Sequence, residues 1–444
     1  KAEDMTGIVL LFRRRRFQAG LLAGLICSAA LLSGCTDGAP LEGDAARLRI
    51  SLGTAESYEV RSALPDEELV SDVNLFLFDG QGRLEEHIYA DRLRSGPDGR
   101  IAIDAEWLCG TGCRIMACAN FGYRMAVGSL DELLQYRYHL AYPDEYSRGI
   151  PMTGTAVIEK VASPADTVTV DLIRMMAKIS IRIDRSGLAS GVSFNVNSVE
   201  IGGSPRSANA FAPGRAEGTS DIFGKGFVCG GTLADNLNVE ESPGKSREAK
   251  LYMMENLQGE LLPGAVSEKD KVLDISDAMA AQCSYVEIKA EYNSEDYCTP
   301  PGEWLVYRFY LGNGPSDFNV ERNCEYRYVI RPDGTGISED SWRVDKSSLI
   351  RKGPATLKIS PGQYIEGKVG DIVHIRVDSD PADALVNIGK EELEFDRNNG
   401  IYDYELDEDG RGVVLRLESR GSGLLYVEGG YPSSDAAIIV IVVS

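Results

Sequence analysis

Histidine is nearly missing from this chain: there are three in 444 residues, His87, His139 and His374, far apart in sequence. A Ser-His-Asp or Cys-His machine needs a histidine base, so hydrolysis by either route would require distant residues to converge. Tryptophan is equally scarce. Trp107, Trp304 and Trp342 each lie in or beside strand-like runs and read as core. No GxxxxGK[ST] motif occurs, and Gly224-Lys225-Gly226 lacks the strand-to-helix setting of a phosphate loop. The apolar run from Ala19 to Leu32 is 14 residues, too short to cross the ~30 Å of hydrocarbon as a helix. Positive charge is the minority sign, with 46 Lys and Arg against 68 Asp and Glu and a formal net charge of −22. Such a surface repels phosphate backbones and anionic lipid, which excludes nucleic acid as a partner. Helical periodicity is sparse, and no repeat of about 20–50 residues is evident.

What is present begins with a targeting pattern. Met5 reads as the initiator, and Arg13, Arg14, Arg15 and Arg16 form a basic start ahead of the short apolar run. That run ends in Leu32-Ser33-Gly34-Cys35, a lipobox-like sequence in which small residues admit a signal peptidase and Cys35 carries the thiol to be acylated. The expectation is a signal peptide over 1–34 and a lipidated tether over 35–45, so that acyl chains on Cys35 make the membrane contact. Removing 1–34 takes away Lys1 and four arginines against Glu3 and Asp4, which leaves the mature chain more acidic still.

Past the tether the pattern has period 2. Leu48, Ile50 and Leu52 alternate with Arg49 and Ser51, and Val73, Leu75 and Leu77 run into the turn Asp79-Gly80-Gln81-Gly82. Val168, Val170 and Leu172 alternate with Thr169 and Asp171. Ile179, Ile181 and Ile183 alternate with Lys178, Ser180 and Arg182, which predicts one buried and one wet face. Further strands read at 113–119, 194–201, 284–291, 304–311 and 324–330, and Ser129 caps a short helix through Tyr136. The chain is therefore all-β. Residues 46–172 and 173–346 each hold enough strands for a β-sandwich, and Arg351-Lys352-Gly353-Pro354 links to a third, immunoglobulin-like unit over 351–444. Residues 203–248, rich in Gly, Ser and Asn, read as a long loop excursion.

Few residues suggest chemistry. Cys109-Gly110-Thr111-Gly112-Cys113 is half a metal knuckle without a second Cys or His pair, which leaves a local disulfide or two thiols. Glu405-Leu406-Asp407-Glu408-Asp409-Gly410 puts Arg416 where a calcium loop needs its bidentate Glu, so an acidic hairpin turn fits better. No catalytic residue, metal or cofactor is called for. The tail, including Ile438, Val440 and Val442, is continuously apolar and β-branched, either a closing core strand or a strand to be donated.

Several stretches together resemble the fimbrillin family, the subunits of type V pili in Gram-negative anaerobes. They are Leu75-Phe76-Leu77-Phe78-Asp79-Gly80, Ala119-Asn120-Phe121-Gly122, Pro151-Met152-Thr153-Gly154, and the run from Leu172 to Ile179. Glu255-Asn256-Leu257-Gln258-Gly259, Tyr310-Leu311-Gly312 and the run from Asp317 to Asn323 with Tyr326 complete the order. The resemblance covers 46–345 and implies tandem transthyretin-like, Greek-key sandwiches. The C-terminal unit falls outside the usual two-domain pattern. The resemblance implies export as a lipoprotein through the periplasm to the outer membrane and cell surface, with adhesion as the role. An Arg-specific protease would then cut after an arginine in the loop following the first strand. Here that loop holds Arg61, so the strand released is the one bearing Leu48, Ile50 and Leu52; an ordinary loop arginine is the competing reading. The groove left behind would take a strand from another pilin subunit. A tail built into its own domain would make this a tip or accessory subunit. The other functional class left open is a surface glycan-binding lipoprotein.

Overall fold

The computed structural model describes residues 9–16, 47–54, 67–93, 100–106, 112–143, 149–158, 167–223, 232–273, 279–337, 344–345, 347–389 and 398–444. Three large hydrophobic clusters follow one another along the chain, each packed against β-sheet, with a small fourth one at Cys283, Tyr310 and Phe318. In the first, the strand order is Leu84–Asp91, Asp72–Phe78, Cys113–Ala119, Met152–Ile158, Thr167–Arg174, Arg47–Thr54, Ile101–Glu106. Met152–Ile158 and Thr167–Arg174 share only two register pairs, Met152↔Arg174 and Thr153↔Ile173. Both sides of that weak seam contribute to one hydrophobic cluster. Leu75, Ile115 and Ala117 from one half share a core with Ile101, Val170 and Leu172 from the other.

Alternation is lost on the central strand Asp72–Phe78, where every residue is buried. The segment after Ala119 covers its polar side: Gly122 N–H donates to Asp72, and Asn74 donates to the Tyr123 carbonyl and accepts from Met125 N–H. Ser129 caps the helix as expected, its hydroxyl accepting from Glu132 N–H, but the helix ends at Leu134 rather than Tyr136.

The second sandwich sets Val9–Arg16, Cys324–Arg331, Met176–Ile183 and Ala249–Met254 against a sheet centred on Tyr285–Asn293. The wet face expected for Met176–Ile183 is not wet. Lys178 and Ser180 are buried, because the strand is central and Glu67, Tyr252 and Glu325 close over its polar side. The excursion 203–248 also carries more order than its composition suggests. Ser207–Asn209 pairs with Arg137–His139 of the first sandwich, and the helix Thr232–Asn238 inserts Ala234 and Leu237, one turn apart, into the second core.

The third sandwich stacks Thr356–Ser360, Ile372–Asp380, Gly412–Leu417 and Tyr402–Leu406 on Tyr364–Gly367, Asp435–Val443, Gly421–Gly429 and Val386–Ile388. The segment read as a linker is fastened at both ends. Ile350–Arg351 pairs with Tyr297–Cys298 of the second sandwich, and Gly353, at φ +118°, exchanges backbone hydrogen bonds with Tyr431. Asp409-Gly410 turns the hairpin between Tyr402–Leu406 and Gly412–Leu417, with Arg376 paired to Asp378, Asp407 and Asp409.

The C-terminal tail lies inside this third unit. Asp435–Val443 pairs antiparallel with Gly421–Gly429 and parallel with Tyr364–Gly367, and buries Ala437, Ile439, Ile441 and Val443. Ile438, Val440 and Val442, singled out from the sequence, take the outer face; in a continuously apolar run the pattern carries no parity. Ile441→Ala should therefore cost about 2–5 kcal/mol. Chemical denaturation followed by circular dichroism should show an earlier transition, whereas an unchanged midpoint would mean that the tail is not a core strand.

Candidate functional site at the first strand and its groove

Arg47–Thr54 runs between two strands of opposite sense. It is antiparallel to Ile101–Glu106, with Leu48↔Ala105, Ile50↔Ile103 and Leu52↔Ile101, and parallel to Thr167–Arg174, with Ile50↔Val168 and Leu52↔Val170. The period-2 residues of this strand thus fall in register with Ile101, Ala105 and Val170, which belong to the first core. Among the described residues, Ile101–Glu106 has no other strand partner. Taking Arg47–Thr54 out would leave two rows of backbone N–H and C=O groups facing an empty strand position.

Residues 55–66, including Arg61, lie outside the described residues, as do Cys35 and Cys109. The chain re-enters at Glu67 and is at once held tightly. The Glu67 carboxylate accepts from Lys178 Nζ at 2.6 Å and from the Tyr252 hydroxyl at 2.6 Å, and its carbonyl accepts from Arg174 Nε at 2.9 Å. Burial raises the Glu67 pKa, but the hydrogen bonds from Lys178 and Tyr252 with the charges of Lys178 and Arg174 outweigh it, and the net shift is downward. Glu325 lies 3.9 Å from Lys178 Nζ, and Arg174 also reaches Asn323. One clasp therefore ties residue 67 to the strands at the start of the second sandwich.

Asn120 makes the second anchor. It sits at φ +62°, a region asparagine tolerates better than most residues. Its side chain accepts from Ser71 N–H at 2.8 Å and donates to the carbonyls of Leu69 and Ile150, each at 2.7 Å. Gly149, at φ +105°, backs this contact so closely that a Cβ there would lie 2.5 Å from the Asn120 amide nitrogen and 2.7 Å from the Leu69 carbonyl. Sequence reading found Asn120 as part of a motif but did not find its role, nor Glu67 at all. The local signal for either was a single polar residue.

A second strand position lies at the edge of the second sandwich, where Val9–Arg16 pairs with Cys324–Arg331 from Val9↔Arg331 to Arg16↔Cys324. The sequence reading leaves this segment outside the mature fold. An uncovered sheet edge offers unpaired backbone groups to any strand within reach.

The other sequence candidates do not converge. His87 stacks on Phe76 and shares a hydrogen bond with Asn74, His139 and His374 are exposed on separate sandwiches, and Trp304 is half-buried. Cys113, Cys118, Cys283, Cys298 and Cys324 are all buried. No group of three His, Cys, Asp or Glu suited to a metal occurs among the described residues, and no described helix is long and apolar enough to cross a membrane.

A family model described as a domain of unknown function, DUF4906, matches residues 251–330, within the second sandwich. No match was found among curated proteins. Similar solved structures include the tip fimbrial protein Mfa3 from Porphyromonas gingivalis with a C-terminal truncation, at 14% identity and TM-score 0.44, covering 64% of this chain and 94% of that one. A fimbrilin, FimA, from Porphyromonas gingivalis gives 12% identity, TM-score 0.41 and coverage of 66% and 98%. A fimbrial assembly protein from Parabacteroides distasonis gives 12% identity, TM-score 0.36 and coverage of 70% and 96%.

The Glu67 clasp makes a pH-dependent prediction. A carboxyl whose folded pKa is depressed stabilises the fold fully above the ordinary value of ~4.3, and that stability is lost as pH falls through the lower folded value. Glu67→Gln should cost roughly 3 kcal/mol near pH 7, because it strips a buried ammonium of its nearest counter-charge. Denaturation at stepped pH should show the gap between wild type and variant closing below about pH 4. A constant gap would mean that Lys178 draws its compensation elsewhere.

Proposed function

We propose that this chain is a non-enzymatic subunit of a cell-surface pilus, of the tip or accessory type, that supports adhesion and assembles by protease-triggered strand exchange. The observation that carries this is the position of Arg47–Thr54: an interior strand, early in the chain, that is all that pairs Ile101–Glu106 among the described residues. A cut after Arg61 would separate that strand from everything C-terminal to it. Residues from Glu67 onward are pinned by Lys178, Tyr252, Arg174 and Asn120, and the backbone of Arg47–Thr54 pairs in two ladders. Cleavage would then release the strand and leave the new N-terminus docked. A strand from another subunit could fill the gap by main-chain pairing, its alternate side chains set by the flanking register.

Export fits the same logic. Processing at Cys35 would remove residues 1–34 and with them the strand Val9–Arg16, exposing the Cys324–Arg331 edge as a further place for an incoming strand. Lipidation of Cys35 would hold the subunit at the outer membrane through its acyl chains. The partners on this reading are a lipoprotein signal peptidase, an Arg-specific maturation protease and other pilin subunits. A tail built into the third sandwich supports a subunit that accepts a strand without offering its own last one, which is why tip or accessory is preferred to shaft.

An Arg-specific protease added to the purified mature protein, with intact mass and oligomer size followed together, tests this. The expected result is one cut after Arg61, loss of the first strand and no unaided polymer. Growth of oligomers from this chain alone would make it a shaft subunit. An Arg61→Ala protein that still matures and assembles would remove the processing step from the account.

A further inference from the structure

Between the first sandwich and the excursion lies a cleft of about 330 Å³, lined by Arg137, Ser207, Asn209, Arg215 and Glu217 among others. Arg137 stands on the short strand Arg137–His139, in register with Asn209, and its guanidinium donates to the Ser207 hydroxyl at 3.0 Å. The segment bearing Arg215 and Glu217 is hydrogen-bonded at its backbone. Gly214 N–H donates to Glu255, Ala216 N–H donates to Asn256, and the Ala216 carbonyl accepts from Gln258. Arg322 braces the turn from below through the carbonyls of Asn209, Ala210 and Ala212 while paired to Glu255 at 2.9 Å. Buried Ala216 is thus flanked by two exposed side chains, Arg215 and Glu217, on backbone that cannot easily shift.

Arg215 makes no hydrogen bond or ion pair among the described residues, in contrast to Arg322 and Arg137 beside it. Two guanidinium groups against one carboxylate also reverse, locally, the sign of a chain whose net charge is −22. A guanidinium presents a planar fork of donors that matches an oxyanion in two contacts. Ser207, Asn209 and the Glu217 carboxylate add one hydroxyl, one amide and one acceptor, the complement of a ring carrying several hydroxyls. The volume is at the small end of the ~300–1,000 Å³ typical of ligand sites. From these features we infer that the cleft binds an acidic sugar unit, a monosaccharide bearing a carboxylate or a sulfate, with Arg215 and Arg137 on the anion and Glu217 on the ring hydroxyls. The inference does not depend on strand exchange; a subunit that failed to assemble would still bind.

Saturation-transfer NMR and calorimetry on the full mature chain can test it, using N-acetylneuraminic acid, galacturonic acid, galactose 6-sulfate, galactose and inorganic sulfate as probes. At least one acidic sugar should bind, with galactose and inorganic sulfate each about tenfold weaker or worse. Binding of the carboxylate sugars or of the sulfated one identifies which anion the cleft prefers. Arg215→Ala, a change at an exposed side chain, should cut that affinity about tenfold, and Arg215→Lys should recover part of it. Three results would each overturn the inference: no acidic sugar stronger than galactose, inorganic sulfate as strong as the sugar acids, or Arg215→Ala binding like wild type.

Discussion

Backbone amides and carbonyls inside a sheet must be paired, and in the first sandwich that requirement converges on one strand. Among the described residues, Ile101–Glu106 and Thr167–Arg174 are joined in the sheet only through Arg47–Thr54, and Thr167–Arg174 meets Met152–Ile158 over just two register pairs. An orphaned N–H or C=O that cannot reach water costs roughly 1–3 kcal/mol. An emptied strand position of this length is therefore a strong demand for another strand. The proposed strand exchange rests on that demand: a position emptied by processing would need a strand to refill it.

The chain that follows residues 55–66 is held by side chains from several elements. Lys178, Tyr252 and Arg174 come from the seam between the first and second sandwiches and meet on Glu67, while Asn120 holds Leu69 and Ser71 from the other side. These contacts tie the region after the loop to the strands Met176–Ile183 and Ala249–Met254. Loss of the first strand should open a groove without loosening the join between sandwiches.

Much of the framework was legible in the sequence because β-strands advertise themselves by period. Cys113–Ala119 falls where alternation puts it, and Tyr285–Asn293 and Cys324–Arg331 fall within a residue or two. What was not legible has common physical causes. The dry polar face of Lys178 and Ser180 depends on a partner 111 residues away in one case and 145 in the other, which local pattern cannot reveal. The excursion 203–248 hid a helix because its apolar contacts, Ala234 and Leu237, are too few to make a moment. The tail showed its apolarity but not which alternate residues face inward. At the candidate site the strand and the loop arginine were readable, whereas the anchors Glu67 and Asn120 and the cleft around Arg215 emerge only when distant segments meet.

The most direct test of the central claim is hydrogen exchange read by mass spectrometry on peptides covering Ile101–Glu106 and Thr167–Arg174, before and after cleavage in the loop. If Arg47–Thr54 is a removable insert, these two strands should lose protection once it departs, while peptides from Met176–Ile183 and Ala249–Met254 stay protected. Protection should return when a subunit able to donate a strand is added. Unchanged protection of Ile101–Glu106 after the first strand has left the molecule would contradict the account, because it would mean that the position needs no strand at all.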